Sequence, residues 1–197
     1  MQKSRKGTTP PATDQESLYG AAVRALARHA RSSGEVRLLL LRRKAAQADV
    51  EAVIQRLRDH GYLDDVRFAR SFVASRVEND LHGRVRVRRD LAARRVRPEI
   101  AEEAVRTGFD PLDEAKLLRE HLRRKIRLSQ PLDKPSKVQA LHRRLLRAGF
   151  RSDTIVGELK RLLRVSSQGG SDDEPLRWDE LLESLAETEE PESEPRA

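Results

Sequence analysis

Apolar residues in this chain recur every three to four positions, a spacing that buries them on one side of a helix and of no other regular element. Val50, Val53, Ile54 and Leu57 follow it, as do Ala115, Leu118, Leu122 and Ile126, and Ile155, Leu159, Leu162 and Leu163. The stretch RVRVRRDL at 84–91 alternates briefly, but every second residue is arginine and helix formers follow, so it too reads as helix. The expected fold class is all-α.

A weak internal repeat appears when the helix starts are aligned. LRRKAAQADVEAVIQRL (41–57), LAARRVRPEIAEEAV (91–105) and LRAGFRSDTIVGEL (146–159) each place a leucine nine residues before a β-branched residue: Leu41 with Val50, Leu91 with Ile100, Leu146 with Ile155. With the helix that precedes it, each copy reads as three helices, about nine in three tandem bundles. The alternative is one globular helical domain with accidental internal similarity. Charged residues make up 37% of the chain, against about 25% in an average globular protein, so the core is thin and an elongated shape fits better than a sphere.

The boundaries follow from composition. Residues 1–16 and 166–174 are rich in Thr, Pro, Ser, Gly and Asp and cannot offset the ordering cost of folding alone. A disordered N-terminal tail (1–16), helical repeats at 17–63, 64–109 and 110–165, and an acidic C-terminal tail (166–197) are expected. In that tail Trp178, Leu181, Leu182 and Leu185 have helical spacing, giving an amphipathic helix at 176–187. Either this helix docks on the basic repeats or on a partner and gates access to their arginines, or the tail only solubilises the chain.

The segment GYLDDVRFARSFVASR (61–76) puts two carboxylates ahead of an apolar-periodic stretch. Gly61 falls where a helix ends in a left-handed residue. Asp64 suits the N-cap of the next helix and Asp65 its first turn, where the helix dipole favours an acid. That helix buries Phe68, Ala69, Phe72 and Val73, with Tyr62 and Leu63 filling the joint. Gly61, Tyr62, Leu63, Asp64, Asp65 and Phe68 thus form a structural junction, and no further ligands nearby make it a metal or catalytic site.

GYLDDVRFARSFVASR, followed by HGRVRVRRDLAARRVRPEIAEEAV, resembles the signature of the RecX regulatory proteins, from about Leu18 to Leu163 and most strongly over 61–109. The glycine that commonly turns the second helix of each repeat into the third is present as Gly149, and its counterparts here are Ala45 and Arg95. The resemblance implies three tandem three-helix repeats in a curved array, right- or left-handed. It also implies that the chain binds the RecA recombinase filament on single-stranded DNA and damps its ATP hydrolysis, strand exchange and co-protease activity, in DNA repair and the SOS response.

Three basic segments could carry such binding. Arg84, Arg86, Arg88, Arg89, Arg94, Arg95 and Arg97 face the single acid Asp90 in their stretch. On a helix from about 84 to 95, Val85, Val87, Leu91 and Ala92 would turn inward and most of the arginines outward. Lys116, Arg119, Arg123, Arg124, Lys125 and Arg127 form the second segment, and Lys134, Lys137, Arg143, Arg144 and Arg147 the third. The guanidinium fork pairs with carboxylate and phosphate alike; the plainer reading is a solvated helix face with intrahelical ion pairs. Residues 166–197 carry a net −9 against the chain's +8, leaving +17 on the rest, so a polyanionic partner is expected.

Other functions find little support. The chain has no cysteine, and His29, His60, His82, His121 and His142 are scattered without a metal-binding spacing. No glycine-rich phosphate loop or nucleophile motif occurs, so no catalysis, cofactor or metal is expected. Two tyrosines, four phenylalanines and one tryptophan offer no stacking series, so single-stranded DNA would be bound weakly and salt-sensitively. With no apolar run of membrane length, a cytoplasmic monomer that touches no membrane is expected. The rival is a general basic helical nucleic-acid-binding protein; a helical scaffold for an acidic partner is a distant third.

Overall fold

A computed structural model describes residues 15–110, 112–126, 132–167 and 175–186. It is all-α: no strand occurs among the described residues. The elements are α1 (Gln15–Arg28), α2 (Ser33–Leu41), α3 (Gln47–Asp59), α4 (Asp65–Ser75), α5 (Arg84–Ala93), α6 (Pro98–Phe109), α7 (Glu114–His121), α8 (Pro135–Arg147), α9 (Ser152–Ser167) and α10 (Pro175–Ala186). Wider π-helical turns follow α4 (Arg76–Asp80) and α7 (Leu122–Ile126). Gln15 and Glu16, expected in the N-terminal tail, are helical; residues 1–14 of that tail lie outside the described residues.

Two compact units make up the chain. One holds the described residues up to Ala69 together with Leu91–Ile100, the other Arg70–Asp90 together with those from Ala101 on. The first is built on Leu18, Val36, Leu40, Val50, Ile54 and Leu57, all 0–1% exposed. The second has Leu118, Leu145, Phe150, Ile155 and Leu159 at its centre, each fully buried. A fully buried side chain of this size stabilises by about 1.5–3 kcal/mol.

Each second helix ends in a left-handed residue. After α5, Arg95 (φ 57°) sends its N–H to the Ala92 carbonyl at 2.8 Å, and Val96 bonds to the Leu91 carbonyl at 3.2 Å. After α8, Gly149 (φ 88°) and Phe150 make the same pair of bonds to Leu146 and Leu145 at 2.9 and 3.3 Å. After α2 the residue is Lys44 (φ 59°), not Ala45. In all three places the left-handed residue stands three before the next helix: Gln47, Pro98 and Ser152. The repeat register therefore shifts by one from the sequence alignment. The buried leucines in equivalent places are Leu40, Leu91 and Leu145, and the buried residues they match are Val50, Ala101 and Ile155, while Leu41 is 37% exposed. β-branching at Ile100 mimics the pattern one residue early.

In both units, the start of one second helix sits on such a turn. In the first, the Ser32 hydroxyl donates to the Arg94 carbonyl, Arg94 grips Glu35 at 2.8 Å, and a β-carbon on Gly34 would collide with the carbonyl oxygen and β-carbon of Arg95. In the second, the Gly83 N–H donates to the Ala148 carbonyl at 2.9 Å and the Val85 N–H to the Gly149 carbonyl at 3.1 Å. There a β-carbon on Gly149 would strike the Arg86 backbone, and one on Gly83 the Gly149 carbonyl. The glycine missing from the first turn has been replaced by one on the helix facing it.

The acids of LDD hold these joints. Asp64 caps α4 by accepting the Arg67 N–H at 2.9 Å, and Asp65, buried, accepts the Ser33 N–H at 2.7 Å. The motif returns as Leu112–Asp113–Glu114: Asp113 caps α7 through the Ala115 and Lys116 N–H groups, and Glu114 lies 3.8 Å from Arg84. Gly61 (φ 71°) ends α3, with Tyr62 N–H bonded to the Leu57 carbonyl at 2.9 Å. Leu63 is buried, but Tyr62 is 51% exposed and does not fill the joint. Phe68 and Phe72 are half-buried beside buried Ala69 and Val73, and on α5 Ala92 faces solvent.

The acidic helix is docked by its apolar face. Leu182 of α10 is 1% exposed in the α8–α9 core, flanked by Trp178, Leu181 and Leu185, and the Ser152 hydroxyl donates to the Leu185 carbonyl at 3.2 Å. Asp179, Glu180 and Glu183 point away, and no ion pair ties them to the arginines among the described residues.

Two tests follow from these contacts. Gly61→Ala meets no neighbour within 4 Å and should cost about 1–2 kcal/mol for its left-handed backbone alone; Gly149→Ala, which also collides with α5, should lower the urea midpoint clearly more. Leu182→Asp should release α10, read as a red shift in emission from Trp178, the chain's one tryptophan, with most helicity retained.

Candidate binding surface

The seven basic residues of the first segment do not form one free face. Arg84 is turned inward: its Nε is buried without a hydrogen bond, its guanidinium lies 5.6 Å from the Phe109 ring, and Glu114 is its ionic neighbour. Arg86 faces Asp90 at 3.9 Å and donates to the Arg147 carbonyl at 3.4 Å. Arg88 reaches Glu102 at 3.6 Å, and Arg94 is held by Glu35 and lies over the Phe68 ring. Arg89, Arg95 and Arg97 are exposed, with no ion pair to the described residues. Counting acids along 84–97 misses this neutralisation, because Glu35, Glu102 and Glu114 arrive from other helices.

The second segment is more fully paired. Lys116 and Arg119 share Asp113 at 3.7 and 3.9 Å, Arg119 also meets buried Glu158 at 3.4 Å, and Arg123 and Arg124 share Glu120 at 2.7 and 3.7 Å. Lys125 is exposed and without an ion pair to the described residues; Arg127 lies outside them. In the third, Lys137 pairs with Asp133 at 2.7 Å, and Arg144 leans on the Lys125 carbonyl at 3.4 Å. Lys134, Arg143 and Arg147 are exposed and without an ion pair to the described residues. Such surface pairs contribute about 0–1 kcal/mol each, so a partner could displace them at little cost.

Of the exposed cations in the three segments that lack such a pair, Arg95 and Arg97 after α5 and Arg143 and Arg147 in α8 lie at the ends of second helices or on the turns beyond. The same place after α2 holds Arg42, Arg43 and Lys44, all exposed. Sequence reasoning passes over these three, although LRRK states them outright, because longer basic runs draw attention elsewhere. Positive charge suits a helix C-terminus, and here it is also available to an incoming anion.

A second concentration of charge surrounds the turn at Leu81 (φ 54°) in the second unit. His121, 7% exposed, donates its Nδ1–H to the Leu81 carbonyl at 2.9 Å and meets the Phe150 ring edge-on. Burial depresses its pKa; the Leu81 bond opposes this, and the charges of Arg144, Lys125 and Arg86 add to the depression. His82 is lowered by burial and by Arg86, and His142, 1% exposed, by burial alone. These histidines are core and joint residues. Among the described residues no group of three or more His, Asp or Glu side chains could hold a metal ion, and no helix is long and apolar enough to cross a membrane.

Comparison with known proteins decides the family. The sequence matches the Regulatory protein RecX of Prosthecochloris aestuarii with 32% identity over 77% of this chain and 97% of that one. The chain belongs to the RecX family. The Halorhodospira halophila Regulatory protein RecX is 33% identical over 71% of this chain and 84% of its own length. The family description "RecX, second three-helix domain" matches residues 64–105. The crystal structure of RecX from Lactobacillus salivarius superposes with a TM-score of 0.62 at 23% identity, covering 77% of this chain and 97% of that chain, which confirms the all-α helical-repeat fold. RecX relatives are thus named as regulators.

The histidines give a pH dependence of definite sign. Unfolded, each takes up a proton near its ordinary value of 6.5, whereas the folded chain resists until lower pH; their contribution is complete above 6.5 and declines as pH falls through the lowered values. Glu114, raised by burial, works oppositely, its contribution full below 4.5 and lost as pH rises through its folded value. Replacing His121 with Asn, which keeps a donor for Leu81, should flatten the loss of urea stability below pH 6.5.

Proposed function

We propose that this RecX-family chain is a non-catalytic regulator that binds RecA filaments on single-stranded DNA and lowers their ATP hydrolysis, strand exchange and co-protease activity. The observation that carries this is the set of exposed cations, without ion pairs to the described residues, at the ends of second helices in a chain that covers nearly the whole of a Regulatory protein RecX. A RecA filament offers both carboxylates on its protein and phosphates on its DNA, and arginine pairs with either. The core and joints need Arg84 and Arg94, so binding falls to Arg89, Arg95, Arg97, Arg143 and Arg147, together with Lys125.

The same cations would also serve a protein that coats DNA without regard to RecA. The two readings differ in salt response: on single strands each neutralised phosphate contributes about −0.7 to the slope of log affinity against log salt. Titrated substoichiometrically into RecA on single-stranded DNA, the protein should lower ATP hydrolysis, and the effect should persist as salt is raised. Replacing Arg89, Arg95, Arg97, Arg143 and Arg147 together with Ala should leave helicity intact and raise the protein needed for half-inhibition about tenfold or more. Inhibition that appears only at DNA-coating ratios, or vanishes with modest salt, would favour the DNA-binding reading instead.

A further inference from the structure

The turn after α2 is a second copy of a docking face whose first copy is occupied. At the occupied face, the turn around Arg94 and Arg95 receives the start of α2: the Arg94 carbonyl accepts the Ser32 hydroxyl, Arg94 holds Glu35 at 2.8 Å, and Gly34 makes room for the Arg95 β-carbon. The turn after α2 repeats the left-handed residue, its bond and the residues around it. Lys44 has φ 59° where Arg95 has 57°, and its N–H meets the Leu41 carbonyl at 2.9 Å as that of Arg95 meets Ala92 at 2.8 Å. Arg43 stands in the register of Arg94, and Leu40 in that of Leu91, both leucines fully buried. Arg42, Arg43 and Lys44 are exposed and Leu41 is 37% exposed; among the described residues no ion pair or side-chain hydrogen bond engages the three cations.

We propose that this turn docks the N-terminus of a helix on the filament protein, one that presents a hydroxyl at its N-cap, a glycine at its second position and a carboxylate at its third. The inference rests on the proposed function for the partner's identity and on the joint in the first unit for the chemistry. Ser32, Gly34 and Glu35 supply those features at the occupied turn, where Ser32 and Glu35 also form a capping box. At the occupied turn the carbonyl oxygen and β-carbon of Arg95 leave no room for a β-carbon on Gly34, and a turn of the same hand at Lys44 demands glycine at the second position in the same way. The carboxylate at the third would meet Arg43 in a charge-assisted bond.

A second copy of this chain is the wrong occupant. Of its helices among the described residues only α2 has glycine at the second position, and that start is already engaged; α8 begins Lys134–Pro135–Ser136–Lys137, without a side-chain cap and with lysine where Glu35 stands in α2. Like charges would face one another.

The test uses the absence of native cysteine. Ala46→Cys, at an exposed position flanking the turn, carries a benzophenone label, and the full chain is irradiated on RecA filaments assembled on single-stranded DNA. Cross-links are expected in the first turn of a RecA helix with Asp or Glu at its third position. Arg43→Glu should cut cross-link yield and filament affinity about tenfold, and Arg28→Glu, the same charge change at the end of α1, should do neither. Cross-links to DNA, or to RecA sites away from helix starts, overturn the docking site and leave the regulator standing, as does an Arg43→Glu affinity equal to that of Arg28→Glu. Failure of the native chain to bind filaments in the hydrolysis titration overturns both.

Discussion

A helix start pressed against a left-handed turn is the contact on which the remaining structure depends. Helix ends leave donors and carbonyls without intrahelical partners, and in each unit two such ends satisfy one another. The Ser32 hydroxyl and the Gly83 N–H find the equivalent carbonyls of Arg94 and Ala148. The approach is close enough that one side must lack a β-carbon. That requirement helps set the register in which the helices within each unit meet, and Asp65 and Glu114 stand beside the joints as largely buried acids.

The acids answer a question of charge as well as of geometry. A chain with 40 lysines and arginines and 32 acids cannot leave its cations wherever sequence puts them without repulsion between folded segments. The structure commits Glu35, Glu102, Glu114 and Glu158 to arginines from other helices, two of which, Arg84 and Arg94, also lie over aromatic rings. The exposed cations left over concentrate near helix C-termini, where the helix dipole tolerates them. The proposed binding surface is what this subtraction leaves: the charge that the fold did not neutralise.

That subtraction is only half legible in the sequence. Periodicity alone places the helices, and the pair Asp64–Asp65 reads as cap and first-turn acid because those roles are local. What Asp65 touches cannot be read, since Ser33 lies far along the chain. Nor can the inward turn of Arg84, because its partner belongs to a later helix. The repeat is misaligned by one residue at Leu41 and Leu146 for a related reason. Adjacent leucines are interchangeable in a pattern of apolar residues, and only the left-handed residues Lys44, Arg95 and Gly149 reveal which of them faces the core. The return of LDD as LDE at 112–114 is a signal in the sequence that helix periodicity does not bring out.

Two of those three left-handed residues are not glycine, and that choice has a cost. Lys44 and Arg95 each hold a backbone conformation that disfavours a β-carbon by about 1–2 kcal/mol, although glycine, as at position 149, would adopt it freely. The close approach of this turn, through the carbonyl oxygen as well as the β-carbon of Arg95, also demands a glycine at position 34. Stability alone would therefore favour glycine at both turns. Retaining arginine and lysine there makes sense if the side chains are used: each projects a cation from the turn, Arg95 beside Arg97 and Lys44 beside Arg42 and Arg43. Natural proteins commonly give up stability where function requires a residue the fold would reject. On that argument the strain marks the proposed binding surface more selectively than the density of basic residues, because Arg84, in the densest segment, is engaged by Glu114 and the Phe109 ring.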